Sequence, residues 1–215
     1  SDGTIVAILA FGYDIPVGAA GLCRVYKYTT DWVQLGGNLT GENSGDELGT
    51  VSINDDGTIV AFSTTSGSYS KIFQYNGSNW DQIGQTITEN SSYMSISLNS
   101  DGTIVAIGAR NGGTNIGRCR IYEYNGSTWN QLGQSIDGLI TSDGLGVSVS
   151  INGDGTIVAT YSFGNNGMAR IFKYNGSTWY QLGEIIYIPS PLNDYGNVFL
   201  DKQISINYDG TIVAI

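Results

Sequence analysis

The sequence predicts an all-β fold of repeated four-stranded antiparallel sheets, and three observations carry that prediction. The hexapeptide Asp-Gly-Thr-Ile-Val-Ala occurs at residues 2–7, 56–61, 101–106, 154–159 and 209–214. The tryptophans Trp32, Trp80, Trp129 and Trp179 each stand two residues before a glutamine and four before a glycine. Glycine is abundant at 31 residues, against 3 prolines, while apolar residues reach 40% and run along the whole chain. That balance describes a turn-rich folded chain rather than a disordered one.

Each element of the repeat is clearest in the fourth copy. Val147, Val149 and Ile151 alternate with Ser148 and Ser150, the period of two that marks a strand, here strand A. Asn152-Gly153-Asp154-Gly155 follows. Asp-Gly between two β runs is a tight-turn signal, because glycine takes positive φ without steric cost. Thr156–Ala159 is strand B and Ala169–Tyr174 strand C, with Asn175-Gly176 as the next hairpin dipeptide. Trp179–Gly183 is strand D. The repeats fall at about 1–46 (strands B, C and D), 47–91, 92–143, 144–197 and 198–215 (strands A and B) within one domain.

A period of this length with four strands per unit is the pattern of a β-propeller. Strands B and C are apolar on both faces, so a lone sheet leaves one face bare; stacking sheets around an axis buries both. The tryptophans are expected between blades, burying about 150–250 Å² each. Strand B occurs five times and the other strands four times each. Self-closure would pair 203–207 with 3–8 and leave 211–215 as a surplus apolar edge. The expectation is therefore a segment of a larger propeller, six or seven blades being typical of the range of about 4–8.

The stretch INGDGTIVAT…ARIFKYNGSTW resembles WD40-type and PD40-type repeats, with Asn-x-Asp-Gly at the A–B turn (54–57, 99–102, 152–155 and 207–210). The WD dipeptide and the Gly-His pair of that family are missing; Phe172-Lys173 and Tyr122-Glu123 stand in the dipeptide's place. The chain is more similar to the DGTIVAIGA…W-x-QLG repeats of large secreted or surface proteins of protists and large viruses. That resemblance covers the whole chain and implies architecture more than function.

Composition narrows the chemistry. With no histidine, the usual general base and the commonest metal ligand are missing. A formal net charge of −10 repels phosphate backbones, so nucleic acid is not an expected partner. No apolar run is long enough to insert in a bilayer as a helix. The turn aspartates echo a calcium loop, but counted from Ser97 or Ser150 its twelfth position carries no bidentate glutamate. Neither metal nor cofactor is expected, nor enzymatic activity. Cys23 and Cys119 occupy the same strand C position two repeats apart, which favours small buried side chains over a disulfide. Arg24, Lys71, Arg120 and Arg170 give one basic residue per repeat, read as side chains that pair with a neighbouring carboxylate or carbonyl.

The repeats agree at their A–B and C–D turns and diverge at their B–C and D–A connections. B–C reads AFGYDIPVGAAG, TTSGSYS, ARNGGTNIG and SFGNNG; D–A ranges from GQTITENSSYM to GEIIYIPSPLNDYGNVFLDK. In an up-and-down blade these two connections share one rim, so the diversified rim reads as the binding surface. Its candidate contact residues are Tyr13, Asp14, Tyr69, Tyr93, Arg110, Asn111, Asn166 and Tyr195. Tyrosine and asparagine suit protein partners or glycans. Asn38, Asn76, Asn90, Asn125 and Asn175 stand in N-glycosylation sequons. The expected role is a structural or protein-interaction module, or alternatively a lectin-like one, on the outside of a cell or particle. Further copies or further chain are expected to complete the propeller.

Overall fold

The computed structural model describes residues 3–13, 18–110, 116–164, 167–187 and 203–215, and these contain strands and no α-helix. The first sheet has three strands, β1 (Ile5–Ala10), β2 (Leu22–Tyr28) and β3 (Trp32–Thr40), in that order. The next three sheets repeat one plan. The second comprises β4 (Leu48–Ile53), β5 (Ile59–Thr64), β6 (Tyr69–Tyr75), β7 (Trp80–Gln82) and β8 (Ile87–Thr88). The third comprises β9 (Met94–Leu98), β10 (Ile104–Ala109), β11 (Arg118–Tyr124), β12 (Trp129–Gln131) and β13 (Ile136–Asp137). The fourth comprises β14 (Ser148–Ile151), β15 (Ile157–Ser162), β16 (Met168–Tyr174), β17 (Trp179–Gln181) and β18 (Ile186–Tyr187). A last pair, β19 (Ser205–Ile206) and β20 (Val213–Ala214), completes the order. All these pairings are antiparallel.

Strand D is broken in the three complete blades. In the fourth sheet Trp179–Gln181 and Ile186–Tyr187 both pair with β16, separated by a turn at Gly183 with φ +74°. The expectation of one strand over 179–183 is corrected by that turn, which only a residue tolerant of positive φ makes cheaply. In the first sheet β3 stays continuous, with a register shift against Cys23–Val25.

The core lies between blades. One apolar cluster combines Ile72 and Ile87 of the second blade with Ile96, Val105, Ile107 and Trp129 of the third. The next combines Ala106 and Ile121 of the third with Val149, Ile151, Val158 and Trp179 of the fourth. Alternate residues of one strand thus enter different cores, which explains why β5 and β15 are buried along their whole length. The strand A serines also act across the joint. Ser52 and Ser97 accept the backbone N–H groups of Leu98 and Ile151 at 2.9 and 3.1 Å. Each satisfies the otherwise open edge of the next blade's strand A.

Each joint between neighbouring blades is closed by two recurrent contacts. The Trp80 indole N–H donates to the Leu35 carbonyl at 2.9 Å, and its ring lies where a Gly36 side chain would be. Trp129 repeats this on Ile83 and Gly84, and Trp179 on Leu132 and Gly133. At the A–B turns Ile5, Ile59, Ile104 and Ile157 fill the space over Gly57, Gly102, Gly155 and Gly210 of the following blade. Trp32 departs from the expected burial. It is 45% exposed, against 7%, 2% and 3% for Trp80, Trp129 and Trp179, because no glycine turn among the described residues faces it. Among the described residues the two end sheets do not pair with each other: β1 pairs with β2 and β19 with β20. Cys23 and Cys119 are both buried and free, and burial pushes the Cys23 thiol up to about 12.

Candidate functional site

The two rims differ in how they use their polar groups. On the A–B rim the turns satisfy themselves. The Asn54 side-chain oxygen accepts from Ile59 N–H at 2.8 Å, and Asp56 Oδ1 accepts from the backbone and hydroxyl of Thr58 at 2.9 and 2.6 Å. The same pair forms at Asp101 and Thr103, Asp154 and Thr156, and Asp209 and Thr211. Successive turns are also joined: Asp55 donates to Ser100, Ser100 to Gly153 and Gly153 to Tyr208 through their backbones. A cavity of about 180 Å³ lies among these turns, and a larger one of about 440 Å³, within the roughly 300–1,000 Å³ of ligand pockets, lies between Ile5, Lys27 and the Asn54–Gly57 turn. Among the described residues no cluster of three or more potential metal ligands occurs.

The C–D turns share that rim and behave alike. Asn125 Oδ1 accepts from the backbone N–H groups of Ser127 and Thr128, and Asn76 and Asn175 do the same in their own turns. Asn38 Oδ1 instead accepts from Arg24 Nε at 2.9 Å. All five sequon asparagines, Asn90 included, are exposed.

On the other rim, acids from the D–A connections hold side chains of strand C. Asp46 Oδ2 accepts the Tyr69 hydroxyl at 2.6 Å and the backbone N–H groups of Glu42 and Asn43. Tyr69, expected as a contact residue, is only 5% exposed, and its hydroxyl is committed to Asp46. Burial and then the Asp46 bond push its phenol well above the usual range. Glu89 is buried and accepts Arg120 Nη1 at 2.9 Å and the Tyr122 hydroxyl at 3.1 Å. Burial, then the Glu89 charge, pushes the Tyr122 phenol up to about 12. Arg170 donates to the Asp137 carbonyl at 2.6 Å, and Lys71 pairs with Glu42. The recurrent basic position therefore finds a carboxylate or amide-type oxygen in every blade. The latching acids Asp46 and Glu89 escape a reading of the sequence because nothing in their spacing marks them. The available signal is one acid late in each D–A connection.

Above these latches two of the expected residues meet. The Arg110 guanidinium carbon lies 5.2 Å from the Tyr93 ring centroid and 4.4 Å from that of Phe163. Both are cation–π distances. Tyr93 is 50% and Phe163 39% exposed, so the stack opens to solvent. Phe163 belongs to the following blade and rests on Gly144, where a side chain would meet its ring at 2.3 Å. Tyr93 is held at φ +62°, a conformation unfavourable for a bulky residue, and its N–H donates to the Thr65 carbonyl at 2.9 Å. Burial lowers the Arg110 pKa and the Tyr93 phenol acts against it. The exposed Leu139 and Ile140 extend the D–A connection that carries Asp143. Phe163 is not among the candidates from sequence; its signal is the Phe-Gly pair that opens two B–C loops, at 11–12 and 163–164. Tyr13 is exposed in the first of these loops. Asp14, Asn111, Asn166 and Tyr195 lie outside the described residues.

No protein-family model matches the chain, and no curated protein matches it in sequence. Solved structures do resemble it. A candidate 6-phosphogluconolactonase from Bacteroides uniformis superposes with a TM-score of 0.60 at 15% identity, over 80% of this chain and 50% of that one. TolB from Acinetobacter baumannii gives 0.55 at 15% identity, over 99% and 45%. KlAtg21, in its complex with the coiled coil of AgAtg16, gives 0.64 at 14% identity, over 98% and 59%. The chain thus spans about half the length of these proteins. The expectation that an enzyme is excluded needs correcting. A neighbour described as a lactonase shares this architecture, so the fold does not rule catalysis out. At these identities the likeness reaches the fold alone, and the fold is a β-propeller of four-stranded antiparallel blades.

Proposed function

We propose that the chain is a recognition module whose B–C and D–A rim binds a protein partner through Tyr93, Arg110 and Phe163. One observation carries this reading. The rim of repeating turns satisfies its own polar groups, whereas the diversified rim holds two exposed aromatic rings around a cation. Tyrosine and arginine are among the side chains that dominate protein interfaces. The unfavourable backbone at Tyr93 supports the assignment, since such strain gathers at functional positions. KlAtg21 is seen with a bound coiled coil, a precedent for protein contact on this architecture. The similarity to DGTIVAIGA…W-x-QLG repeats suggests a secreted, cell-surface or particle-surface setting, where the exposed sequons would be glycosylated.

The test uses a photo-crosslinking residue at position 140 to capture a partner from the surface fraction of the source. The purified chain is applied to a glycan array in parallel. Capture of one defined protein that falls at least tenfold in Arg110→Ala, and not in Asn125→Ser, supports the reading. Glycan binding that Arg110→Ala abolishes makes the module a lectin. Capture that ignores Arg110 but follows the Asn-Gly turns removes the rim assignment.

A further inference from the structure

On the diversified rim a ladder of backbone hydrogen bonds crosses from the second blade to the third. Thr65 N–H donates to the Glu47 carbonyl at 2.8 Å, Tyr93 N–H to the Thr65 carbonyl at 2.9 Å and Arg110 N–H to the Tyr93 carbonyl at 3.4 Å. Phe163 of the fourth blade continues the row by stacking on Arg110. Glu47 and Tyr93 come from D–A connections, Thr65 and Arg110 from B–C loops, so the row exists only in the fold. Two of its members keep a side chain where the backbone favours glycine: Glu47 at φ +51° and Tyr93 at φ +62°. Ser95 and Ser148 hold the same register, opposite Gly108 and Tyr161, so the fourth blade's match for Tyr93 is Gly146, at φ +91°. Glycine makes that turn without steric cost. The turn itself therefore requires no side chain at 47 or 93.

The row has opposite charges at its ends. At one end the Arg110 guanidinium lies against the rings of Tyr93 and Phe163. Stacking uses the faces of that plane, while its five N–H donors project from the edge, so ring contact and a carboxylate pair do not compete. At the other end Glu47 is half-buried, and its Oε2 accepts the Thr65 and Ser66 hydroxyls, both at 3.2 Å. The half-exposed ring of Tyr93 stands between the two charges. Hydrogen-bonded neighbours in a sheet are about 4.7–4.9 Å apart, so three steps separate the backbones of Glu47 and Arg110 by about 14 Å. An extended chain advances about 3.3–3.6 Å per residue, and about four residues cover that length. A purely acidic ligand meets long-range repulsion from a chain of net charge −10, whereas a segment of mixed charge does not.

We propose that the row binds an extended segment of the protein partner that gives a carboxylate to Arg110 and, about four residues away, a lysine or arginine to Glu47, with its middle lying on Tyr93. This rests on the rim being the protein-binding face and names what that face reads. The acid is recognised by a bidentate, charge-assisted pair at the stacked guanidinium. The base is recognised by the Glu47 carboxylate, which the Thr65 and Ser66 hydroxyls hold in place. The two charges fix the direction in which the segment crosses the blades.

A phage library of random dodecapeptides selected on the full chain tests this, with the selected peptides resynthesised for fluorescence anisotropy. The expected peptides share an acidic and a basic residue about three to five positions apart. Changing the peptide's acid to its amide should weaken binding at least tenfold, a reading that needs no altered protein. Arg110→Gln should give a similar loss and make the chain indifferent to that acid-to-amide change; Glu47→Gln should do the same for the peptide's basic residue. Far-ultraviolet circular dichroism checks that both variants fold. Peptides that depend on Arg110 but share no acid, or no base at that spacing, overturn the proposal and leave the rim as the binding face. Failure to select any peptide, while a folded partner still crosslinks at position 140, does likewise. Peptides indifferent to both Arg110→Gln and Glu47→Gln overturn the proposal and the rim assignment together.

Discussion

Trp129 shows how much a single side chain can hold. It is buried to 2% exposure in the joint between the second and third blades, and its indole N–H is satisfied by Ile83 at 3.0 Å. Trp129→Ala removes the ring and strands that carbonyl, at a cost of about 3–5 kcal/mol in urea unfolding. Tyr93 should behave in the opposite way. At φ +62° its side chain is strained, so Tyr93→Gly is expected to gain about 1 kcal/mol of stability while losing partner binding. A loss in both measurements would remove the argument from strain. The turn aspartates add a pH dependence. The Thr156 hydroxyl holds the Asp154 carboxyl below its usual range, with burial acting in the other direction and the Thr156 amide assisting. The folded pKa is therefore depressed. Its contribution is complete above the ordinary carboxylate value of about 3.9 and is lost as pH falls through the lower folded value. Asp154→Asn should thus be less stable than the unsubstituted chain at pH 7, with the gap narrowing toward pH 2. A gap that widens in acid would contradict the assignment.

Loops are the elements in which binding and folding separate. Replacing 109–117 with the shorter 162–167 sequence deletes Arg110 but leaves β10 and β11 their register from Ile104 to Ile107. The expected result is a cooperative unfolding transition and loss of partner binding; intact binding would move the site elsewhere. This is also the scale at which the sequence is hardest to read. Strands A, B and C are legible because alternation and Asp-Gly or Asn-Gly turns are local signals. The break in strand D is not, since the positive φ of Gly183 has no signature distinct from any other glycine. Tyr69 and Tyr93 look alike as loop tyrosines, yet one is buried on Asp46 and the other stacks on Arg110. The partner decides, and it comes from another loop: Asp46 is 23 residues from Tyr69. Trp32 carries the same motif as Trp80, and its exposure reflects which blade faces it.

Among the described residues the molecule is a series of similar units, each packed on its neighbours. Apolar clusters bridge the first and second blades, the second and third, the third and fourth, and the fourth and final hairpin. Stability in such an arrangement is a sum of unit and interface contributions, and cooperativity depends on every interface being strong. The joint at Gly84 offers a clean test. Its φ is +67°, and an added side chain would meet Trp129 Cδ1 at 2.5 Å. Gly84→Val brings overpacking of about 1–3 kcal/mol and left-handed backbone strain of about 1–2 kcal/mol, both confined to one interface. The cores on either side, around Val60 and Phe62 in one direction and Ile121 and Val158 in the other, keep their own contacts. Scanning calorimetry should therefore resolve the single transition of the unsubstituted chain into two, one for the blades before the joint and one for those after it. Asn125→Ser, on an exposed turn outside every core, serves as the control and should leave one transition. If Gly84→Val merely lowers the midpoint of one undivided transition, the blades are coupled through more than their adjoining faces, and the nearest-neighbour description fails.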